Sequence, residues 1–248
     1  MQAKKSLGQN FLTDSSILKK IVTGSEATGD DLVLEIGPGL GALTAEILAV
    51  GTTVIAVEKD HLLITPLEEK FAEEIKSGKL KIIEGDILEF NFDEKKFKVI
   101  ANVPYYLTGE ILRKFLSGEN QPQSMTLLLQ KEVVERIVAK DRKESLLSLS
   151  VKVYGKPKKE FIVKAGSFRP APKVDSAVIT IKNISRKNFK NKKHETRFFE
   201  LIHQGFAHKR KQLKNNLIIE VGVTAKCEVN LTQRAEELTL ENWLCLSQ

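Results

Sequence analysis

The chain has 248 residues, of which 42% are hydrophobic, and this is enough apolar material for one large domain or for a domain with a small annex. No run of about eighteen apolar residues occurs, so no transmembrane helix is expected. No strongly amphipathic basic helix with exposed large apolar residues stands out, so a membrane partner is not expected either. The two cysteines, Cys227 and Cys245, lack metal-ligand spacing. They predict a reducing, cytoplasmic location and no metal site.

The formal net charge of +7 is unevenly distributed along the chain. Residues 1–150 contain 19 Lys and Arg against 23 Asp and Glu, whereas residues 151–248 contain 20 against 9. The basic residues concentrate between Lys156 and Lys214. Because clustered Lys and Arg release counterions from phosphates, this region predicts a surface for a polyanion such as nucleic acid. From charge alone, an ordinary solvated surface remains an alternative.

The first two thirds of the chain alternate between short apolar runs and longer helical patterns. Five runs are typical of buried parallel strands: LVLEIG (32–37), TVIAVE (53–58), KLKIIEG (79–85), KVIAN (98–102) and SMTLLLQ (124–130). Apolar residues at helical spacing occur between some of these runs, at 42–50, 61–76 and 108–117. Two more predicted strands, 158–164 and 175–182, enclose the loop GSFRPAPKVD. This alternation predicts an α/β fold with a doubly wound parallel sheet.

The character of the sequence changes after Lys182, where the basic polar segment ISRKNFKNKKHE lies. Apolar residues then recur at helical spacing from 198 to 206, and shorter helical patterns follow at 209–220, 231–237 and 239–246. We therefore predict two domains, residues 1–182 with the sheet and residues 183–248 as a small all-helical domain.

Three predicted strands end in residues suited to an adenosine-containing ligand. The first runs into EIGPGLGALT (35–44), where Gly37 and Gly39 allow the backbone to approach a ligand closely. Glu58 ends the second strand, where it can accept hydrogen bonds from ribose hydroxyls, and Asp86 follows the third, where it can accept from an adenine amino group. The glycine spacing departs from the dinucleotide fingerprint, which favours S-adenosylmethionine over NAD. The sheet is therefore predicted to be a Rossmann-like S-adenosylmethionine-dependent methyltransferase sheet.

The fourth strand ends in NVPYY, and this stretch is the predicted target-binding motif. Adenine N6 is a poor nucleophile because its lone pair is delocalised into the ring. The Asn102 side-chain oxygen and a main-chain carbonyl at 103 or 104 can accept from its two N–H groups and so aim the lone pair at a methyl donor. Pro104 fixes the turn, and Tyr105 offers a stacking face to an extruded base. Tyr106 is expected to pack against the sheet.

In the order and spacing of these motifs, the sequence resembles the small-subunit ribosomal RNA adenine N6,N6-dimethyltransferases. Besides the motifs already given, the resemblance rests on KSLGQNFLTD (5–14), LQKEVVERIVA (129–139), FRPAPKVDSAV (168–178), FAHKRKQLKNNL (206–217) and RAEEL (234–238). It covers nearly the whole chain.

The resemblance implies that two adjacent adenosines, in a hairpin loop near the 3′ end of small-subunit ribosomal RNA, each receive two methyl groups from S-adenosylmethionine, which leaves S-adenosylhomocysteine. It implies action on an assembling subunit, and we expect a monomer. The implied cofactor contacts are Asn10, Leu12, Gly37, Glu58, Asp86 and Asn102. Asn102, Pro104 and Tyr105 match the target-base motif, and Phe168 is implied to stack on the other face of the base. Candidate RNA contacts in the basic annex are Lys209, Arg210, Lys211 and Lys214.

Three other functions are considered. The macrolide-resistance enzymes, which methylate an adenine of large-subunit ribosomal RNA, share the fold and the N-x-P-Y chemistry. A non-catalytic assembly factor is disfavoured by the intact set of Glu58, Asp86 and NVPY. An NAD-dependent oxidoreductase is least favoured because of the glycine spacing.

Overall fold

The computed structural model describes residues 10–139, 141, 143–217 and 221–248. Residues 5–9, the first half of the KSLGQNFLTD motif, lie outside them. The chain divides into two compact units. The first comprises the described residues up to Val134 together with Lys158–Ile184, and the second comprises the described residues of Glu135–Pro157 and Ser185–Gln248. Among the described helices, none has both the length and the apolar character needed to cross a membrane.

The described strands form a two-stranded ribbon and a seven-stranded sheet. They are β1 (Phe11–Leu12), β2 (Leu32–Ile36), β3 (Thr53–Glu58), β4 (Leu80–Glu84), β5 (Lys98–Asn102), β6 (Ser124–Gln130), β7 (Lys156–Val163), β8 (Phe168–Arg169) and β9 (Ser176–Lys182). The strand order in the sheet is β4-β3-β2-β5-β6-β9-β7, and β1 pairs with β8.

Parallel pairing brings the carboxyl ends of four strands, where predicted site residues lie, to one edge of the sheet. Strands β4, β3, β2, β5 and β6 run parallel, whereas β9 pairs antiparallel with β6. The central strands β2, β5 and β6 are almost continuously buried, as expected where both faces of a sheet are covered. The predicted α/β, Rossmann-like fold is confirmed, and the loops after β2, β3, β4 and β5 meet at the same edge.

The described helices match the predicted pattern in part. They are α1 (Ser15–Ser25), α2 (Ala42–Ala49), α3 (His61–Lys70), α4 (Ala72–Lys76), α5 (Thr108–Ser117), α6 (Lys131–Ile137), α7 (Leu146–Lys152), α8 (Lys192–Phe206), α9 (Val221–Lys226) and α10 (Leu240–Leu246). The predicted single helix 61–76 is interrupted at Phe71. This residue is buried, and its backbone departs from helical geometry with φ −116° and ψ 30°.

The predicted helical pattern at 209–220 is wrong for its described part. That part contains only a short 3₁₀ turn, Leu213–Asn215. The backbone N–H of Leu213 donates to Gln233 O at 2.8 Å, and that of Lys214 donates to Leu231 O at 3.1 Å. These long-range hydrogen bonds replace the ones that a helix would have made.

The second unit includes a segment that the sequence assigned to the sheet domain. The described residues of 135–157 group with residues 185–248 in the second unit. Tyr154 shows the cause: its hydroxyl donates to Glu195 of α8, and its ring stacks on Phe199 with 6.1 Å between ring centroids. Hydrophobicity along the chain does not reveal which neighbour such a segment will pack against.

The second unit also pairs the two cysteines. Cys227 and Cys245 form a disulfide with a Cα–Cα distance of 5.7 Å. Disulfides are rare in reducing compartments, so cysteine usage no longer supports the reducing location that the sequence predicted. The pairing was not predicted, because the fold of residues after α9 brings together positions that are 18 residues apart.

We expect Gly205→Ala to destabilise the protein although alanine is the better helix former. Gly205 lies in α8, and a Cβ atom there would overlap the ring of Trp243, which is fully buried. Because the ring is fully buried, the overlap should cost about 2–3 kcal/mol in the free energy of unfolding, which is more than the gain of about 1 kcal/mol from helix propensity. Gly109→Ala in α5 is the matched control, because its Cβ would meet no atom within 4 Å. Urea denaturation should show a loss for the first variant; equal or higher stability would refute the overlap.

Candidate active site

A cavity of about 320 Å³ lies in the first unit at the carboxyl ends of β2, β3, β4 and β5. Its walls come mainly from five chain segments: 10–13, 35–43, 57–59, 85–87 and 102–107. These segments carry all the predicted cofactor residues, namely Asn10, Leu12, Gly37, Gly39, Glu58, Asp86 and Asn102. The structure therefore brings together residues that the sequence distributes over more than ninety positions.

The glycine-rich turn after β2 packs too tightly for side chains. Gly39 has a φ of +60°, and a Cβ atom there would lie 2.9 Å from Cε1 of Phe11. Gly41 has a φ of +72°, and its Cβ would lie 2.5 Å from Cε2 of Phe71. Positive φ and close neighbours both exclude larger residues at these two positions, and of the two it is Gly39 that presents bare backbone to the cavity.

Glu58, at the end of β3, organises this turn. Its Oε2 accepts the N–H of Gly39 at 3.1 Å, and its Oε1 accepts the N–H of Asp60 at 2.8 Å. The side chain is buried, and burial raises the pKa of its carboxyl despite the two backbone donors. Each carboxylate oxygen has a further lone pair, so a ligand hydroxyl can be accepted without breaking either bond.

Asp86, after β4, is held by a cation and by backbone. Its Oδ2 accepts from Lys59 Nζ at 2.7 Å, and its Oδ1 accepts the N–H of Leu88 at 2.9 Å. The Lys59 hydrogen bond is the main cause that lowers the pKa of Asp86. This carboxyl is thus ionised and oriented at neutral pH. The partnership with Lys59 was not predicted from the sequence.

Glu35 lines the cavity but was not among the predicted site residues, although it is the first residue of EIGPGLGALT (35–44). Its side chain is only 1% exposed, and Oε2 has no hydrogen-bond partner among the described residues. Burial raises the pKa of this carboxyl to about 8. At neutral pH Glu35 is therefore largely protonated in the folded protein.

We expect Glu35 to make stability fall as pH rises. Its carboxyl has an unfolded-state pKa of 4.5 and a folded-state pKa of about 8. Between these values the folded protein retains a proton that the unfolded chain has released, so the free energy of unfolding declines across that window. Glu35→Gln imitates the protonated form. In urea denaturation its stability relative to the unsubstituted protein should increase from about pH 5 to about pH 8.5; a pH-independent difference would contradict the shift.

At the end of β5, Asn102 is oriented by the chain segment before β1. Its Nδ2 donates to the carbonyl oxygen of Asn10 at 3.0 Å. This contact uses the nitrogen end of the amide, and Oδ1 is the end that can accept from a ligand. Pro104, with a φ of −55°, precedes the 3₁₀ turn Tyr105–Leu107, and its carbonyl accepts the N–H of Leu107 at 2.9 Å.

The two tyrosines of NVPYY have different environments. Tyr105 is partly buried, and its hydroxyl shares a hydrogen bond with Oγ of Ser176 at 2.7 Å. Burial raises the pKa of the Tyr105 phenol. Tyr106 is 56% exposed at the cavity wall, so the expectation that it packs against the sheet is wrong. The turn that buries the first ring directs the second towards solvent.

The described structure does not support a stacking role for Phe168. Its side chain is 1% exposed and lies in the hydrophobic core, and it does not line the cavity. Strand β8 pairs antiparallel with β1, with Phe168 opposite Leu12. Sequence alone could not show that this pairing places the ring in the core.

The predicted RNA contacts lie in the second unit. All four, Lys209, Arg210, Lys211 and Lys214, are exposed on the turns after α8. Asn216 stabilises these turns by donating from Nδ2 to Gly205 O at 2.8 Å and to His208 O at 3.2 Å. Within the described ranges none of the four forms an ion pair, so their charge is available to an anionic partner.

The chain is similar to known proteins over nearly its whole length. Residues 1–248 match the family model described as ribosomal RNA adenine dimethylase. Ribosomal RNA small subunit methyltransferase A of Dehalococcoides mccartyi (strain CBDB1) is 40% identical over 261 residues, covering 99% of this chain and 88% of that protein. The protein of the same name from Metamycoplasma arthritidis is 41% identical over 248 residues, covering 96% and 93%.

Two solved structures show a similar fold. The dimethyladenosine transferase from Plasmodium falciparum has a TM-score of 0.81 and 25% identity, with 95% of each chain covered. The 23S rRNA methyltransferase ErmE has a TM-score of 0.81 and 22% identity, with 96% of this chain and 98% of that chain covered. The likeness to ErmE is evidence for the fold alone.

Proposed function

The chain belongs to the ribosomal RNA adenine dimethylase family, and from this premise we propose the reaction that its cavity performs. It transfers methyl groups from S-adenosylmethionine to N6 of two adjacent adenosines in the 3′-terminal hairpin loop of small-subunit ribosomal RNA. The products are N6,N6-dimethyladenosines, S-adenosylhomocysteine and one proton for each methyl group transferred. The observation that carries this proposal is Asn102 in the same cavity wall as Glu58, Asp86 and the glycine turn.

The cavity residues fit S-adenosylmethionine by the chemistry of their donors and acceptors. The buried Glu58 suits ribose hydroxyls, the oriented Asp86 suits an adenine amino group, and the bare turn at Gly37 and Gly39 admits a ligand close to the backbone. Asn10 and Leu12 contribute to the wall on the side of the N-terminal segment. When bound, the cofactor supplies an electrophilic methyl group.

Asn102 holds the target amine. Its Oδ1 accepts from one N6–H, because Nδ2 is already engaged with Asn10 O. The Pro104 carbonyl accepts the N–H of Leu107, which favours the carbonyl of Val103 as the second acceptor. Two acceptors on the amine favour a tetrahedral nitrogen with its lone pair directed into the cavity. After the first transfer one N–H remains, so a single acceptor orients the amine for the second.

Tyr105 provides the stacking face for the extruded base, and Pro104 sets the direction of the turn that carries it. Base–aromatic stacking contributes about 1–3 kcal/mol, enough to offset much of the loss of stacking in the RNA. The Tyr105 phenol is protonated at neutral pH because the ordinary pKa of a phenol is about 10, and burial raises this pKa further. The ring therefore remains neutral beside the base.

We assign methyl transfer to the first unit and RNA docking to the second. The partner is small-subunit ribosomal RNA in an assembling subunit, which implies a cytoplasmic location, and a monomer suffices for the reaction.

Mass spectrometry of ribosomal RNA tests the assignment. The protein is first incubated with labelled S-adenosylmethionine and undermethylated small subunits. Dimethyladenosine in the small-subunit hairpin supports it. Product only in large-subunit RNA would select the macrolide-resistance activity, and no product with intact cofactor binding would indicate an assembly factor.

We predict that the exposed basic turns make binding dependent on salt. Changing Lys209, Arg210, Lys211 and Lys214 together to Gln should weaken binding to small subunits. It should also reduce the slope of log affinity against log salt by up to about 3, since each phosphate contact contributes about 0.7–0.9. In the matched control, four exposed lysines of the first unit are changed to Gln: Lys76, Lys81, Lys95 and Lys96. Equal losses in both variants would show that total charge, and not this surface, determines binding.

A further inference from the structure

We propose that Ser176 is a positioning residue, which fixes the ring of Tyr105 through the hydrogen bond between their hydroxyls. The inference rests on the proposed function, because the ring is positioned for a target base. Ser176 lies 71 residues away in sequence and is the first residue of β9. It does not touch the substrate in this scheme and acts only through Tyr105.

The contact itself has the geometry of a strong hydroxyl–hydroxyl bond. Oγ of Ser176 and the phenol oxygen of Tyr105 are 2.7 Å apart. Ser176 is 0% exposed, whereas Tyr105 is only partly buried. Water therefore cannot readily replace the serine, and the anchored end of the tyrosine is the end that faces the protein.

Ser176 is a rigid anchor because the start of β9 is fixed from several directions. In the antiparallel register Ser176 lies opposite Gln130 of β6. The preceding residue, Asp175, accepts the N–H of Lys131 on its carbonyl at 3.0 Å. Its carboxylate accepts from the N–H of Ala165 at 3.1 Å and from Lys164 Nζ at 2.9 Å. These bonds leave the serine little freedom to follow a moving ring.

The backbone of Tyr105 is fixed as well, which leaves ring orientation as the remaining variable. Its carbonyl accepts from Oγ1 of Thr108 at 3.1 Å, and it begins the 3₁₀ turn after Pro104. Tyr106, one residue on, has an exposed ring. The hydrogen bond between the hydroxyls therefore distinguishes Tyr105 from Tyr106, because it fixes the orientation of the Tyr105 ring before a base binds.

A double-mutant cycle tests the functional consequence. Ser176→Ala and Tyr105→Phe should each lower kcat/KM for methylation of small subunits by about tenfold, the effect of losing one hydrogen bond. The double variant should be no worse than either single variant, because both remove the same bond. Ser176→Thr keeps the hydroxyl and should restore most of the activity. The Kd for S-adenosylmethionine should stay unchanged throughout.

Thr180→Ala is the matched control for loss of a buried hydroxyl on β9. Thr180 is 1% exposed and donates to Glu160, away from the cavity. It should cost stability without lowering kcat/KM. Multiplicative losses in the cycle, or full activity in Ser176→Ala, would overturn the proposal.

Nuclear magnetic resonance of ¹³C-tyrosine-labelled protein tests the positioning without relying on activity. The chain has three tyrosines, so Tyr→Phe variants assign each ring. Ser176→Ala should shift the ring signals of Tyr105 and leave those of Tyr154, whose hydroxyl bonds to Glu195, unchanged. Unchanged Tyr105 signals would overturn the proposal. If the unsubstituted protein does not methylate RNA, the proposed function fails, and these spectra still decide whether Ser176 holds the ring.

Discussion

Asn102→Ala should lower the rate of adenine methylation by about a hundredfold to a thousandfold. The variant removes the Oδ1 acceptor that aligns the amine. In the first transfer the remaining main-chain carbonyl then leaves one of the two N–H groups of N6 without an acceptor. It also removes the donation from Nδ2 to Asn10 O, which is 3.0 Å long. Single-turnover transfer to undermethylated small subunits measures the loss, and calorimetric titration with S-adenosylmethionine should show cofactor binding largely retained.

Asn102→Asp separates the two functions of this amide. The carboxylate retains an acceptor for the amine but replaces the donor that faces Asn10 O with an oxygen, so the two oxygens repel. We expect activity between those of the alanine variant and the unsubstituted protein. Near-normal turnover in Asn102→Ala would reject the assigned role, and an aspartate variant as active as the unsubstituted protein would show that the contact with Asn10 does not orient the side chain.

The sheet and its cofactor edge were predictable because both follow from local patterns. Continuous apolar runs separated by helical spacing identify parallel strands, and the carboxyl ends of parallel strands share one edge. Glu58, Asp86 and Asn102 each stand at or just after such an end, so their convergence on one cavity followed from the fold class. No contact between distant parts of the chain had to be known.

The features that were missed depend on such distant contacts. The bond between Tyr105 and Ser176 requires the antiparallel register of β9 on β6, which hydrophobic patterning does not determine. Phe168 matched an aromatic position in a motif, yet its burial depends on the pairing of β8 with β1. The pairing of Lys59 with Asp86 likewise joins neighbouring strand ends through side chains whose direction the sequence leaves open.

Glu58→Ala should raise the Kd for S-adenosylmethionine by at least about a hundredfold. Hydrogen bonds from ribose hydroxyls to a buried carboxylate contribute about 1.5–3 kcal/mol each. The loss of two such bonds costs at least about 3 kcal/mol, which corresponds to more than a hundredfold in Kd. The substitution also leaves the N–H groups of Gly39 and Asp60 without their acceptor. The glycine turn should therefore loosen, and calorimetric titration should show weaker binding of S-adenosylhomocysteine as well, since the ribose is common to both ligands.

Glu58→Gln tests whether the acceptor pattern or the size of the side chain matters. One amide oxygen can replace one carboxylate oxygen, but the amide nitrogen must then face the N–H of Gly39 or that of Asp60, donor against donor. Binding should consequently be nearly as weak as in the alanine variant. Glu84→Ala, at the end of the neighbouring strand and opposite Glu58 in the sheet, is the matched control because Glu84 is exposed and does not line the cavity. If Gln restored binding while Ala did not, one acceptor would suffice, and the bidentate hold of Glu58 on the turn would not be required for the cofactor.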